Sequence, residues 1–447
     1  MKLANCLLLV AVGWSLLSCQ EVENSAPGCG PTETEQAVVD ALDAGLAYPF
    51  QSANPEIEDS QLQPLIDYLA DTKFVGLGEA THGTAEFFQL KDKLFRLLVT
   101  QAGFKAIIFE IPWGNALKVN DFVTKGIGTA DEVINQTWYW VYDTEEVRAL
   151  AQWVHDYNED LAEEEKIFFV GCDPQGPDFA LERQQLREYL YHTDPDSERV
   201  VLDYYAQLPG GDLPAYSNAS AATHEANRVG TQAVYDYMLR HADRLIANSS
   251  ELDYQIALMS AHVIQQREHM YRINNFGETR DELMATYSEW WQRVLGEDSK
   301  VAIWAHNRHV WDAGLLNSNW MGTFLTNRQG AENYRTVGFS FSRGTFNAFL
   351  ADSNSEFAGF NRRHIIEEPL CGTVNHLLQE VAGEQHYLIF DEFSGSAFDY
   401  FQAAQRFTQT GAGFNIDFIE NYTQAIPLSR VYDVLIHFDN TRASVLQ

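Results

Sequence analysis

Basic residues are scarce in this chain of 447 residues: 30 lysines and arginines stand against 63 acidic residues, for a formal charge of −33. Such a surface repels a phosphate backbone, so nucleic acid is not an expected partner, and its plain role is solubility. Cysteine is scarce too, with five in all. Once Cys6 and Cys19 are set aside with the N-terminal segment, Cys29, Cys172 and Cys371 remain, without metal-ligand spacing. A Cys29–Cys371 disulfide is permitted in an oxidising compartment, and sequence alone does not establish it. Past the first residues no apolar run is long enough to span a bilayer, and no fixed-period repeat occurs. The chain also lacks a G-x-S-x-G elbow, which argues against a serine nucleophile, and lacks the H-E-x-x-H of a zinc protease.

What is present is enough for a large buried core: 45% hydrophobic and 13% aromatic residues over a length that suggests two or three folding units, or one domain with an insertion. Residues 1–18 read as a signal peptide. Lys2 is followed by an apolar run that closes on Leu16-Leu17-Ser18-Cys19, which resembles a bacterial lipobox. Cleavage before Cys19 and acylation of its thiol would anchor the protein to a membrane, and Gln20 in place of aspartate favours the outer one. Residues 19–36 are polar, carry Pro, Gly and Ser, and read as a flexible tether, with the folded part starting near Ala37.

The runs KFVGLGE, KAIIFEI, KIFFVGCD, KVAIWAH, RTVGFSFS, HYLIFDEF and VYDVLIHF have strand length and are apolar almost throughout, as strands buried on both faces are. They predict an α/β core with a parallel-rich central sheet flanked by helices, over residues 37–180 and 296–447. Residues 181–295 break the alternation and read as a mainly helical insertion or lobe. Between the first two runs, Phe87, Leu90, Leu94, Leu97 and Leu98 recur at helical spacing up to Gly103. A second helix is expected after Asp143 as N-cap, with Glu146 three positions on.

The polar residues fall where such a sheet binds ligands. Glu79 with His82, Glu110, Asp173, and His306 with His309 all stand at or just past the carboxyl ends of expected strands. Lys91 shares a helical stripe with Phe87, Leu94 and Leu98, which aims its cation at the core and calls for an anion there.

The stretch GLGEATHGTAEFFQLKDKLFRLLVTQAGFKAIIFEIPWG resembles the signature of the erythromycin esterase family, WAHNRHV resembles its downstream histidine motif, and GCDPQG and RDELMA resemble further blocks. The resemblance implies His82 as general base, with Glu79, Glu110 and His306 completing a catalytic set. Where well-known members carry arginine nine residues after that base, this chain has Lys91, which keeps the charge and loses the bidentate fork.

The chemistry agrees with that assignment. Hydrolysis of an ester by water needs a base such as histidine and a carboxylate to hold its tautomer, a task for Glu79 or Glu110. The other histidine could protonate the leaving alkoxide or face the oxyanion, with Lys91 or Arg343 adding positive potential. Lys91, His309, Asp173, Trp113 and Arg343 are the expected substrate-binding residues. Trp138, Tyr139, Trp140 and Tyr142 could line a wide apolar cleft or pack the lobe on the core. No cofactor enters this reading, although Glu79, His82, His306 and His309 are all possible metal ligands. The expectation is a lipid-anchored envelope hydrolase acting on a small-molecule ester, with a macrolide lactone as one candidate. A hydrolase of another envelope ester and a non-catalytic binding lipoprotein are the alternatives.

Overall fold

The computed structural model describes residues 29–209, 213–316 and 318–447. The signal segment, Cys19 and the tether up to residue 28 lie outside the described residues.

The strands are β1 (Ala47–Pro49), β2 (Phe74–Leu77), β3 (Phe104–Pro112), β4 (Phe168–Asp173), β5 (Lys300–Trp304), β6 (Tyr334–Ala351), β7 (Phe357–Ile366), β8 (Gln385–Ile389), β9 (Gln405–Thr408), β10 (Gly413–Phe414), β11 (Thr423–Ile426) and β12 (Val434–Thr441). A ten-stranded sheet runs in the order β1-β8-β12-β6-β2-β5-β3-β4, with β7 and β10 also paired to β6. Neighbours from β12 through β4 are parallel, whereas β1, β8 and β7 join antiparallel. Each apolar run picked out in the sequence contributes a strand to this sheet. The hairpin of β6 and β7 went unforeseen because past Ser342 the long strand β6 becomes only half-buried, so the continuous apolar signal stops.

Both faces of the sheet are covered. Val75, Leu77, Ile107, Phe109, Phe169, Ala302 and Trp304 point into one apolar cluster, and Phe74, Ala106, Ile108, Val170, Val301 and Ile303 into a second. That alternation is the two-residue period of a strand. The second cluster continues into Leu186, Met270, Tyr287 and Trp291 of the helices between β4 and β5, a stretch without strands among its described residues. The expected α/β fold with a mostly parallel sheet and a helical insertion is therefore what the chain forms.

Two local expectations change. Helix Glu33–Ala41 starts ahead of Ala37, because Thr32 and Glu35 close a capping box, and Val38 and Val39 are buried. Cys29 and Cys371, with Cα atoms 5.5 Å apart, form a disulfide that ties this end to the body. In helix Glu145–Asn158 the N-cap is Thr144, whose hydroxyl accepts from the Val147 N–H, while Asp143 pairs with Arg148 instead.

Candidate active site

Strand β2 ends at Leu77, and the residues from Gly78 on turn within a space that admits no extra atom. A Cβ at Gly78 would strike Asn307, and one at Gly83 would strike the Asn347 backbone. The glycines therefore let the segments after β5 and within β6 close directly on the turn. Glu79 is fully buried there, and its carbonyl accepts from the Asn307 N–H at 3.0 Å.

Three donors converge on the Glu79 carboxylate: His82 Nδ1 at 2.6 Å, Trp304 Nε1 at 3.1 Å, and Lys91 Nζ. Lys91 has no solvent exposure, and burial lowers its pKa to about 8 even though Glu79 works in the other direction. Its ammonium also lies 4.0 Å from the centre of a Trp304 ring. Held by three donors, Glu79 is an acceptor, so His82 carries its proton on Nδ1. Its Nε2 lone pair is then free and faces the Gly411 loop.

His306 takes the opposite tautomer. Its Nδ1 accepts from the Arg308 N–H at 3.2 Å, so Nε2 donates to the Thr410 carbonyl at 3.2 Å. Burial, reinforced by nearby His82, Arg308 and His309, holds its pKa well below the ordinary histidine value. The ring is thus a fixed neutral group 5.1 Å from the His82 ring, with its one N–H engaged by the Thr410 carbonyl.

His309 is its counterpart. Burial alone would lower its pKa, but Asp281, 2.6 Å from Nδ1, and Glu110, 3.3 Å from Nε2, outweigh burial and raise it to about 10. Glu110 is likewise pushed up by burial and pulled further down by His309 and Arg280, so its carboxyl sits well below the usual range. Arg280 ties the cluster together: it donates to both oxygens of Asp173, at 3.0 and 2.7 Å, and to Glu110 at 2.7 Å. Its Nη1 donates towards His309 Nε2 at 3.1 Å, which suits the neutral ring, while the Glu110 oxygen 3.3 Å from the same nitrogen favours the protonated one.

A cleft of about 510 Å³ opens on this arrangement, with His82, His306, His309, Arg280, Arg308 and Trp320 among its lining residues. The structure thus brings Glu79, His82, Lys91, Glu110, Asp173, His306 and His309 together at the carboxyl edge of the sheet. Four of the expected substrate contacts do not line the cleft. Trp113 is wholly buried, stacked on Trp291 with its indole N–H on Ser260, because the next helix turns it into the core. Arg343 lies outside the cleft with its guanidinium 3.8 Å from Glu368. Lys91 is sealed beneath Glu79, and Asp173 is covered by Arg280 and the Tyr139 hydroxyl, so both position other residues and do not line the cleft. Of the aromatic stretch, Tyr142 is buried against Phe88 and Phe109, and Trp138 is exposed.

Sequence reasoning missed Arg280, Asp281 and Arg308. The block RDELMA marked the first two, but nothing local showed that a helix residue 107 positions beyond Asp173 would lean over it. Among the described residues no group of three or more histidine, cysteine, aspartate and glutamate side chains is arranged to hold a metal.

The family model described as erythromycin esterase matches residues 99–441. Glu79, His82 and Lys91 precede that span. The chain is 23% identical over 375 residues to "Erythromycin esterase type II" of Escherichia coli, covering 76% of this chain and 86% of the other. In fold it is similar to the crystal structure of a succinoglycan biosynthesis protein, with TM-score 0.80, 24% identity, and 94% of this chain and 100% of that one covered. An erythromycin esterase mutant in its open conformation aligns with TM-score 0.63 at 18% identity, over 90% of this chain and 98% of that one. The chain belongs to the erythromycin esterase family, a membership that supports a hydrolase role for it.

Proposed function

We propose that the protein hydrolyses a carboxylic ester with water activated by His82. The observation that carries this reading is the Glu79–His82 pair, whose geometry leaves Nε2 as a directed acceptor on the cleft. His82 Nε2 removes a proton from water as the oxygen attacks the acyl carbon, and the carbonyl electron pair moves to its oxygen. The oxyanion that forms faces the cleft, whose lining includes the N–H groups of His309 and Arg280. As the oxyanion collapses, the C–O bond to the alcohol breaks, and the proton on His82 passes to the leaving alkoxide. Glu79 orients the ring and balances its charge while it is doubly protonated. Lys91 holds Glu79 in place.

The name shared by the family makes a macrolide lactone the first ester to try. Purified protein is incubated with erythromycin and with simple p-nitrophenyl esters, and products are followed by mass spectrometry and absorbance. Hydrolysis by the wild type that His82→Asn loses while staying folded is the expected result. Equal turnover by the folded variant would remove His82 from the role of base. The envelope location expected from Leu16-Leu17-Ser18-Cys19 is also a proposal, tested by whether Cys19→Ala shifts the protein out of the membrane fraction.

A further inference from the structure

Arginines in this chain generally find a carboxylate: Arg267 pairs with Glu182, Arg280 with Asp173 and Glu110, and Arg335 with Asp433. With 63 acidic residues to 30 basic ones, that is what composition favours. Arg308 is different. It follows His306 and Asn307 on the turn after β5 and lines the cleft, yet it pairs with no carboxylate among the described residues. Its Nη2 donates to the Gln424 side-chain carbonyl at 2.9 Å, and its Nε is buried without an acceptor. Burial pulls its pKa down, with only Tyr432 working in the other direction, although a guanidinium stays charged throughout the ordinary pH range.

A second donor in the cleft is in the same condition. Gln409, 2% exposed, accepts from Asn307 Nδ2 through Oε1 at 3.0 Å and leaves Nε2 a buried donor with no acceptor. The cleft's other charged groups are already matched: Arg280 to Asp173 and Glu110, His309 to Asp281 and Glu110, and Asp281 also to the Met321 N–H. Arg308 is close enough to His306 to add to the effect of burial in keeping that ring neutral, which sets its charge near the His82–His306 pair. A half-buried cation without a carboxylate, its Nε unmatched, and a buried amide donor without an acceptor in the same cleft cost the protein stability unless a ligand compensates them.

We propose that Arg308, assisted by Gln409, binds a separate anionic group of the substrate, so that the ester hydrolysed is that of an acidic molecule, in the simplest case one with a free carboxylate. This rests on the esterase reading and adds a substrate class to it. Arg308 is then a specificity residue, and the bond broken is still the ester bond facing His82.

The test compares two p-nitrophenyl esters of equal acyl length, the hydrogen glutarate, which is an anion, and the valerate, which is neutral. The wild type is expected to have the higher kcat/KM on the glutarate ester. Arg308→Met should lower that value about 10- to 100-fold, mainly through KM, and at least tenfold more than it lowers the valerate value. Arg308→Lys should recover part of the loss, because it restores the charge without the planar fork. Should Arg308→Met not fold, Arg308→Gln takes its place. No preference for the anion in the wild type, or equal losses on both esters, would overturn the proposal. If neither ester is cleaved, the esterase reading fails separately, and glutarate binding decides the matter by thermal denaturation. A rise in Tm with glutarate in the wild type and not in the Arg308 variant supports the site, and no rise in the wild type overturns it.

Discussion

Two histidine pairs occur in this sheet at nearly equal ring separations, His82 with His306 at 5.1 Å and His386 with His437 at 5.3 Å. The first stands past the carboxyl ends of β2 and β5, the second lies within β8 and β12, where the two residues are direct cross-strand partners. His437 is satisfied by the hydroxyls of Ser340 and Ser342, and both nitrogens of His386 are buried with no partner. Burial pushes both down to a pKa of about 3, with His437 adding to the effect on His386, so the pair is neutral packing. His82 differs by one contact, the Glu79 carboxylate at 2.6 Å, and by a free nitrogen on a cleft. Ring proximity is the same in both places, and the directed carboxylate and the open face are what separate a base from a core side chain.

The largest effect that tests this contrast is on turnover. His82→Asn should cost about 10² to 10⁴ in kcat, while His386→Leu keeps most activity. Comparable losses from both, measured on folded protein with any ester that the wild type cleaves, would break the distinction. Next comes stability at the carboxylate itself. Lys91→Met leaves Glu79 buried without its cation, and urea denaturation should show a loss of about 3 to 5 kcal/mol. A loss below 1 kcal/mol (about the size expected of a surface pair) would mean that the Trp304 and His82 contacts suffice.

A third measurement sharpens the comparison between a charged and a neutral histidine. The folded-state pKa of His309, about 10, lies above its ordinary value of 6.5. The stabilisation from its charge is therefore complete below about pH 6.5 and is lost as pH rises through about 10. His309→Gln should be less stable than wild type on the order of a few kcal/mol near pH 6, and the gap should narrow towards about pH 10. A gap that does not change with pH would show that His309 is neutral in the folded protein. The smallest effect is expected at the second pair. His386→Leu removes a buried ring with two unmatched nitrogens and should raise stability at neutral pH by up to about 1 kcal/mol. A loss of more than about 2 kcal/mol would show that the ring's packing outweighs its polarity.

The outline of the site was legible in the sequence because the backbone places it. A strand buried on both faces announces itself as an apolar run, and the polar residues at or just past its carboxyl end emerge at the sheet edge, as Glu79, Glu110, Asp173 and His306 do. Lys91 was legible for a similar reason, since helical periodicity aimed its charge at the core and required an anion there, which is Glu79. Trp113 was misread because its nearness to Glu110 in sequence says nothing about which way the next helix carries it. The helix turns its ring onto Trp290 and Trp291, away from the cleft.

By itself, then, the sequence determined the sheet, its flanking helices and the edge at which chemistry could gather, since periodicity and continuous apolar runs are local properties of a chain. Tertiary structure alone decided which protonation state each group holds and which charges stay unmatched. His306 and His309 are three positions apart, yet one is held neutral by burial and two backbone bonds, and the other is pushed towards its cationic form by Asp281 and Glu110. Arg280 reaches the site from the helices beyond β4, and Arg308 lacks a carboxylate in a chain rich in them. Protonation and charge matching depend on desolvation and on neighbours brought together from distant positions, and these exist only once the chain has folded.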